Sequence, residues 1–328
     1  MLRIRAMTAQ DVPLGMRLKD LAGWNQTEAD WRRLLVLEPA GCFVAEWDGR
    51  PVATTCVSVF PPVGWVSMVL VDPPVRGRGI ATRLMEHGLA YLDGRGVPTV
   101  RLDATALGRP VYERLGFAAE YEVARWEGFA GGGPAPAGES MPSAAHNHAS
   151  RAAPVRAATV RERCSCARHH PGIAPVGAGD AAAVAALDAA ATGADRSRLL
   201  DLLRQEQPDA MKALTRAPPD VWRAAAGEST PSAALGGYSW VRPGSRAMQI
   251  GPVAALDDES GRALADAALC ACAGRTVFVD IPVPNLAAML WAESRGLRVQ
   301  RRFTRMRRGR PAPDQPLRIW AGFGPEKG

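Results

Sequence analysis

The residues best suited to chemistry lie in one run, Arg76-Gly77-Arg78-Gly79-Ile80-Ala81-Thr82. Glycines at 77 and 79 let the backbone curl tightly and approach a ligand with no Cβ in the way. The amides freed at the start of the following helix point outward at the positive end of its dipole, and Arg76 and Arg78 add fixed charge beside them. Such a corner binds an anion, and a pyrophosphate suits it best. A lone Gly-x-Gly would say little, since turns use glycine everywhere. Here Val69-Leu70-Val71 precedes it as a hydrophobic strand. Ile80, Leu84, Met85, Leu89 and Leu92 then recur at the three- and four-residue spacing of an amphipathic helix.

The elements that must position this corner read in order. Residues 2–6 form a short strand. Asp11-Val12-Pro13 starts a helix to about Ala22, and Thr27-Glu28-Ala29-Asp30 caps a second one, Trp31 to Leu37. Cys42 to Trp47 is a strand, Asp48-Gly49 a hairpin turn, and Val52 to Phe60 its partner. Trp65 to Val71 leads into the glycine corner. Beyond the helix come the strand Val100 to Asp103, a short helix carrying Tyr112, and a strand from Glu120 to Trp126. From Gly131 the composition turns to Ala, Pro, Gly and Ser, which cannot bury a core and reads as a linker.

The second half repeats the first. Met68, Leu84, Gly116-Phe117 and Arg125 fall opposite Met248, Leu264, Gly296-Leu297 and Arg305, each at an offset of 180. Val100-Arg101-Leu102-Asp103 resembles Val277-Phe278-Val279-Asp280. The chain therefore reads as residues 1–128, a linker over 129–170, and a second copy over 171–328.

Composition sets outer bounds. With 328 residues, 47% hydrophobic and 22% charged, the chain has room for two soluble domains of ordinary size. Its net charge of +7 rests almost wholly on arginine, a bias that more often reflects coding composition than function. No signal peptide is read at residues 1–6 and no apolar run is long enough to span a bilayer, so the cytoplasm is the expected compartment. Cys164-Ser165-Cys166 with His169 and His170 reads as a tolerated linker rather than a metal site, because a structural zinc wants Cys-x₂₋₄-Cys pairs on firm scaffolding. The arginines from Arg295 to Arg310 read as solvated strand faces. A nucleic-acid groove would bring more stacking partners than Phe303.

Arg76-Gly77-Arg78-Gly79-Ile80-Ala81, followed by Tyr112-Glu113-Arg114-Leu115-Gly116-Phe117, resembles the fingerprint of the GCN5-related N-acetyltransferase (GNAT) family. The resemblance covers most of residues 1–128. It implies a mixed α/β fold with a mostly antiparallel sheet, here as two tandem acyltransferase domains. It implies acetyl-coenzyme A (acetyl-CoA) as donor, with the pyrophosphate on the amides of residues 77–82 and the pantetheine against Val69, Leu70 and Val71. Tyr112 would protonate the leaving thiolate. Trp24-Asn25-Gln26 would line the acceptor side. The glutamate that serves as base in the histone-modifying branch has no counterpart at Trp65-Val66-Ser67. Glu46 is the first substitute and Asp103 the second, and Ser67 could orient a water. The second copy carries Leu256-Asp257-Asp258-Glu259 where the first has its glycines, and Ala292 for the tyrosine. It should not bind the cofactor, and would shape the acceptor pocket or make a dimer surface. The activity implied is acetyl transfer to a primary amine of a small molecule. The alternative is a module that senses acetyl-CoA and holds an acidic partner on its basic second half.

Overall fold

The computed structural model describes residues 1–131, 172–216 and 234–328. Of the linker expected over 129–170, residues 132–170 lie outside the described residues, Cys164, Cys166, His169 and His170 among them, while Phe129 still belongs to the last strand of the first half. The first half runs β1 (Leu2–Ala6), α1 (Val12–Leu21), α2 (Glu28–Leu37), β2 (Cys42–Trp47), β3 (Arg50–Phe60), β4 (Val63–Val71), α3 (Ile80–Gly94), β5 (Thr99–Ala104), α4 (Arg109–Arg114) and β6 (Ala118–Phe129). The second runs β7 (Ile173–Pro175), α5 (Ala181–Thr192), α6 (Ser197–Glu206), β8 (Met211–Arg216), β9 (Ala234–Arg242), β10 (Met248–Ala255), α7 (Asp258–Ala271), β11 (Thr276–Pro282), α8 (Leu286–Ser294), β12 (Arg298–Gly309) and β13 (Ile319–Ala321). Local chemistry accounts for the ends. Pro13 stands in the first turn of α1, and the Thr27 amide donates to the Asp30 carboxylate at 2.8 Å to close the capping box of α2.

Among the described residues the strands form one sheet in the order β1-β2-β3-β4-β5-β12-β6-β11-β10-β9-β8-β7, with β13 added on β10. The fold is mixed α/β. Among the described residues only β4 with β5 and β10 with β11 pair in parallel; the remaining pairs are antiparallel. The order shows something the repeat alone does not. Strand β6 stands beside β11 of the second half, and β12 stands beside β5 of the first. Each half has given its sixth strand to the other. The two exchanged strands pair with each other through Val123 and Phe303. Those two residues are 180 apart, the offset of the repeat, so a pseudo-twofold axis passes between them.

The exchange brings two ion pairs into being. On β12, Arg305 stands in register with Asp103 of β5 and donates to both its oxygens at 2.9 Å. On β6, Arg125 stands in register with Asp280 of β11 and donates to both its oxygens at 2.7 Å. All four residues are buried or nearly so. The Arg305 guanidinium lies 4.8 Å from the Trp65 ring and that of Arg125 5.1 Å from the Phe278 ring. The expectation of solvated arginine faces therefore fails at Arg305, which the exchanged strand turns inward. Its neighbours Arg302, Arg307 and Arg308 do reach the surface, paired with Glu122, Glu120 and Asp93.

The packing follows the topology. Leu84, Met85, Leu89 and Leu92 of α3 bury against one face of the first half, while Trp31 and Leu34 of α2 cover the other. A further core draws Leu37, Phe60, Val63 and Trp65 together with Val184, Leu199, Leu203 and Trp240, so the halves share apolar interior.

Removing one partner of a buried bidentate pair leaves a bare charge in the sheet. Arg305→Met should lower stability to urea by about 3–5 kcal/mol, and adding Asp103→Leu should restore a good part of it. Equal losses in the single and double variants would contradict a coupled pair.

Candidate active site

Strands β4 and β5 pair from Val63 with Thr99 to Trp65 with Arg101, and then part. Strand β4 runs on to Val71, so its remaining backbone edge faces an open cleft. Within that stretch Met68 adopts a left-handed conformation (φ 53°), and Met68-Val69 form a bulge between the pairs Cys56–Ser67 and Thr54–Leu70. The Thr54 hydroxyl holds the bulge by donating to the Met68 carbonyl at 2.8 Å.

Past Val71 the chain makes a turn at Pro73–Val75 and reaches the glycine corner. Gly77 and Gly79 have φ of 77° and 74°, a region where a side chain is strained. A Cβ built on either would meet nothing within 4 Å, so the corner is an open cradle with room for a group. The first return bond of α3 is from the Arg83 amide to the Gly79 carbonyl, at 3.1 Å. The amides of Ile80, Ala81 and Thr82 thus have no acceptor within the helix, and they point into the cradle with the positive end of the dipole. Arg76 folds back to donate to the Val71 carbonyl at 3.0 Å, and Arg78 lies over the Trp47 ring at 5.2 Å. Both arginines are exposed at its rim. An open strand edge leading to a cradle of free amides fits a long ligand that ends in phosphates.

Tyr112 stands on α4, packed on the core that α3 covers, with its ring edge against Phe117. Burial pushes its phenol up to about 12, so it is a proton donor throughout the neutral range. Ser67 is buried beside the bulge, and its hydroxyl has no hydrogen-bond partner among the described residues. The other expected residues are engaged elsewhere. Glu46 accepts from Arg5 at 2.6 Å on β2, two strands and about 10 Å from β4. Both oxygens of Asp103 are taken by Arg305. Asn25 is 1% exposed and saturated: it accepts the amides of Arg246 (2.9 Å) and Ala247 (3.0 Å) and donates to the Ala247 carbonyl. Gln26 donates to Glu326 at 2.7 Å, and the Trp24 carbonyl accepts from Ser245. The loop 24–26 fastens the first half to the second.

Residues 323–328 are the part of the site that sequence reasoning missed. The Trp65 indole donates to the Pro325 carbonyl at 3.1 Å, and Gly328 packs against the ring where β4 and β5 part. Their only signal is the apolar triplet Ile319-Trp320-Ala321 just before them, which has no counterpart in the first half.

The second half answers the same geometry differently. Strands β10 and β11 also part, after Ile250 with Val279, but β13 enters the gap and pairs with β10. Trp320 fills the space so closely that a Cβ on Gly261 would stand 2.1 Å from its indole. The Asp257 side chain accepts the Ser260 amide at 2.9 Å and occupies the helix start, with Asp258 and Glu259 adding charge. These carboxylates work against a bound anion at this helix start.

A family model described as "Acetyltransferase (GNAT) family" matches residues 13–117, and another, "Acetyltransferase (GNAT) domain", matches residues 184–321. Together they cover well over half of the chain. The chain belongs to the GNAT acetyltransferase family, in tandem form. Among curated relatives, the mycothiol acetyltransferase of Thermomonospora curvata is 43% identical over 24% of this chain and 28% of its own, so the chain spans little more than a quarter of that relative. A solved Pyrococcus horikoshii protein, classed as a candidate acetyltransferase, shares the fold over 100% of this chain and 96% of its own, with a TM-score of 0.72 at 20% identity. A tandem GNAT protein from the clavulanic acid biosynthesis pathway, solved without acetyl-CoA, shares it over 94% and 98%, with a TM-score of 0.55 at 14% identity. GNAT proteins are acyltransferases that use acetyl-CoA as donor. No helix among the described residues of this GNAT chain is long and apolar enough to cross a membrane.

The cradle's two left-handed glycines give a direct check. Gly79→Ala should weaken coenzyme A binding by roughly 5- to 30-fold, because holding a side chain in the left-handed region that the cradle needs costs about 1–2 kcal/mol. Ala substitution at Gly274, left-handed but remote from the cleft, should leave the Kd unchanged. Equal loss in both, measured by equilibrium dialysis, would show that the cradle is not the site.

Proposed function

We propose that this chain transfers an acetyl group from acetyl-CoA to a primary amine of a small molecule, within one ternary complex. The observation that carries the reading is the open β4–β5 cleft ending in free amides, beside a closed copy of itself. Bound there, acetyl-CoA would supply an activated acetyl thioester. The amides of residues 77–82, with Arg76 and Arg78 at the rim, hold the pyrophosphate; the free edge at Val69, Leu70 and Val71 takes the pantetheine. Tyr112 gives its proton to the departing thiolate.

The two halves, residues 1–128 and 171–328, divide the work. The first holds the donor. The second, through β12 and residues 323–328, walls the face from which the acceptor comes. The relatives' name, mycothiol acetyltransferase, supports a small-molecule acceptor. Glu46 and Asp103 are both bonded to arginines, Arg5 and Arg305, and neither is assigned the base. Ser67 is free to orient a water that accepts the amine's proton. Arg302, Arg305, Arg307 and Arg308 of β12 are matched with carboxylates, which argues against an acidic partner bound along that part of the strand.

Thiol release with a panel of amines tests this. Tyr112→Phe should cut kcat by on the order of 10²–10⁴ with little change in KM. The wild-type profile should show no alkaline fall from loss of this donor below about pH 11, given a phenol pushed up to about 12. An unchanged kcat in Tyr112→Phe would remove the assigned acid.

A further inference from the structure

After β13 the chain crosses from the second half to the first. Phe323 stacks on Trp240 at 5.4 Å, and the Arg196 guanidinium donates to the carbonyls of Lys327 and Gly328. With its backbone pinned on both sides, Lys327 turns its side chain inward, and it is 1% exposed. Its Nζ stands 4.7 Å over the Phe323 ring, 3.6 Å from Asp30 and 3.9 Å from Glu326. It makes no hydrogen bond among the described residues, although an ammonium has three to give. The carboxylates beside it are already spoken for: Asp30 accepts from Arg33 at 2.8 Å and Arg242 at 2.9 Å, and Glu326 from Gln26 and Arg242.

The position matters as much as the burial. Arg33 and Asp30 face this amine from α2, Arg242 from β9, Cys56 from β3, and Glu326 from its own segment. Cys56 is the register partner of Ser67, next to the bulge at Met68. Cys56 and Met68 share the core under α1 and α2, and it is α2 that sets Asp30 3.6 Å from the Lys327 Nζ. Two residues back from Ser67, Trp65 carries Pro325 and Gly328 where β4 leaves β5. The segment thus brings a buried amine to the side of the sheet that α2 covers, among the strands that carry the bulge.

We propose that Lys327 is an internal acceptor: its amine takes the acetyl group from acetyl-CoA held in the β4–β5 cleft. The inference rests on the donor reading given above. In the step, the Nζ lone pair forms a bond to the thioester carbonyl carbon and the C–S bond breaks. The thiolate takes a proton from Tyr112, which regains one from water, and the nitrogen's surplus proton passes to water. The products are N-acetyl-lysine and coenzyme A. Burial, with Arg33 and Arg242 nearby, brings the ammonium down to about 8 against the pull of Asp30 and Glu326, so an uncharged amine is present in mildly alkaline solution. Acetylation removes one positive charge and leaves Asp30 and Glu326 to two arginines.

The sequence makes the test clean, because it holds three lysines, Lys19, Lys212 and Lys327. The full chain is incubated with acetyl-CoA and no amine, and the acetylated peptides are read by mass. One acetyl per chain on Lys327 is expected, at a rate independent of protein concentration, rising to about pH 8 and then level, and slowed on the order of 100-fold in Tyr112→Phe. A placement readout needs no turnover: bromoacetyl-coenzyme A should alkylate Lys327 in the wild type and lose that adduct in Lys327→Arg. Lys327 left bare by both reagents, in a chain that releases thiol with an added amine, overturns this inference alone. Acetylation of Lys212 at the same rate overturns it too, as simple chemical modification. A chain that neither binds coenzyme A nor releases thiol with any amine overturns the donor reading as well.

Discussion

The pairs Arg305–Asp103 and Arg125–Asp280 are the constraint on which the architecture rests. Each is a bidentate bond between residues directly opposite in register, in a part of the sheet where an unpaired guanidinium would be costly. Neither pair can form unless the sixth strand of one half lies beside the fifth strand of the other. The exchange also removes two exposed strand edges, which two separate copies would have to protect. The halves therefore work as one body, and the loop at Asn25 and the segment 323–328 are further ties across the same seam.

The same fold gives one open cleft and one closed one, and the difference lies in a few residues. In the first half the gap between parting strands leads to glycines that accept a left-handed backbone and to helix amides with no partner. In the second, a three-residue strand has filled the gap, Trp320 has taken the space above Gly261, and the Asp257 carboxylate has supplied internally the negative group that a helix start attracts. The chain that closes the second cleft then runs on to wall the first.

Much of this was legible in the sequence because it is local. Capping residues, turn glycines and the three- and four-residue spacing of Ile80, Leu84 and Met85 act over short distances, and the elements from Pro13 to Phe117 form where they are expected. The cradle was legible for the same reason, and the repeat made the loss of the second one visible in Asp257, Asp258 and Glu259. What was not legible depends on partners far along the chain. Asp103 reads as a candidate base until Arg305 arrives from 202 positions away, and Asn25 as an acceptor contact until Ala247 arrives from 222. Strand exchange leaves no local mark either, since β6 and β12 carry the same alternation whichever half they join. Residues beyond 310 have no counterpart in the first copy, so the repeat offered nothing for Lys327.

The central claim is that one of the two repeats holds the cofactor and the other is closed by its own chain. Calorimetric titration of the full chain with coenzyme A measures this directly as a stoichiometry. One equivalent bound per chain is expected. Two equivalents, or none, would contradict it.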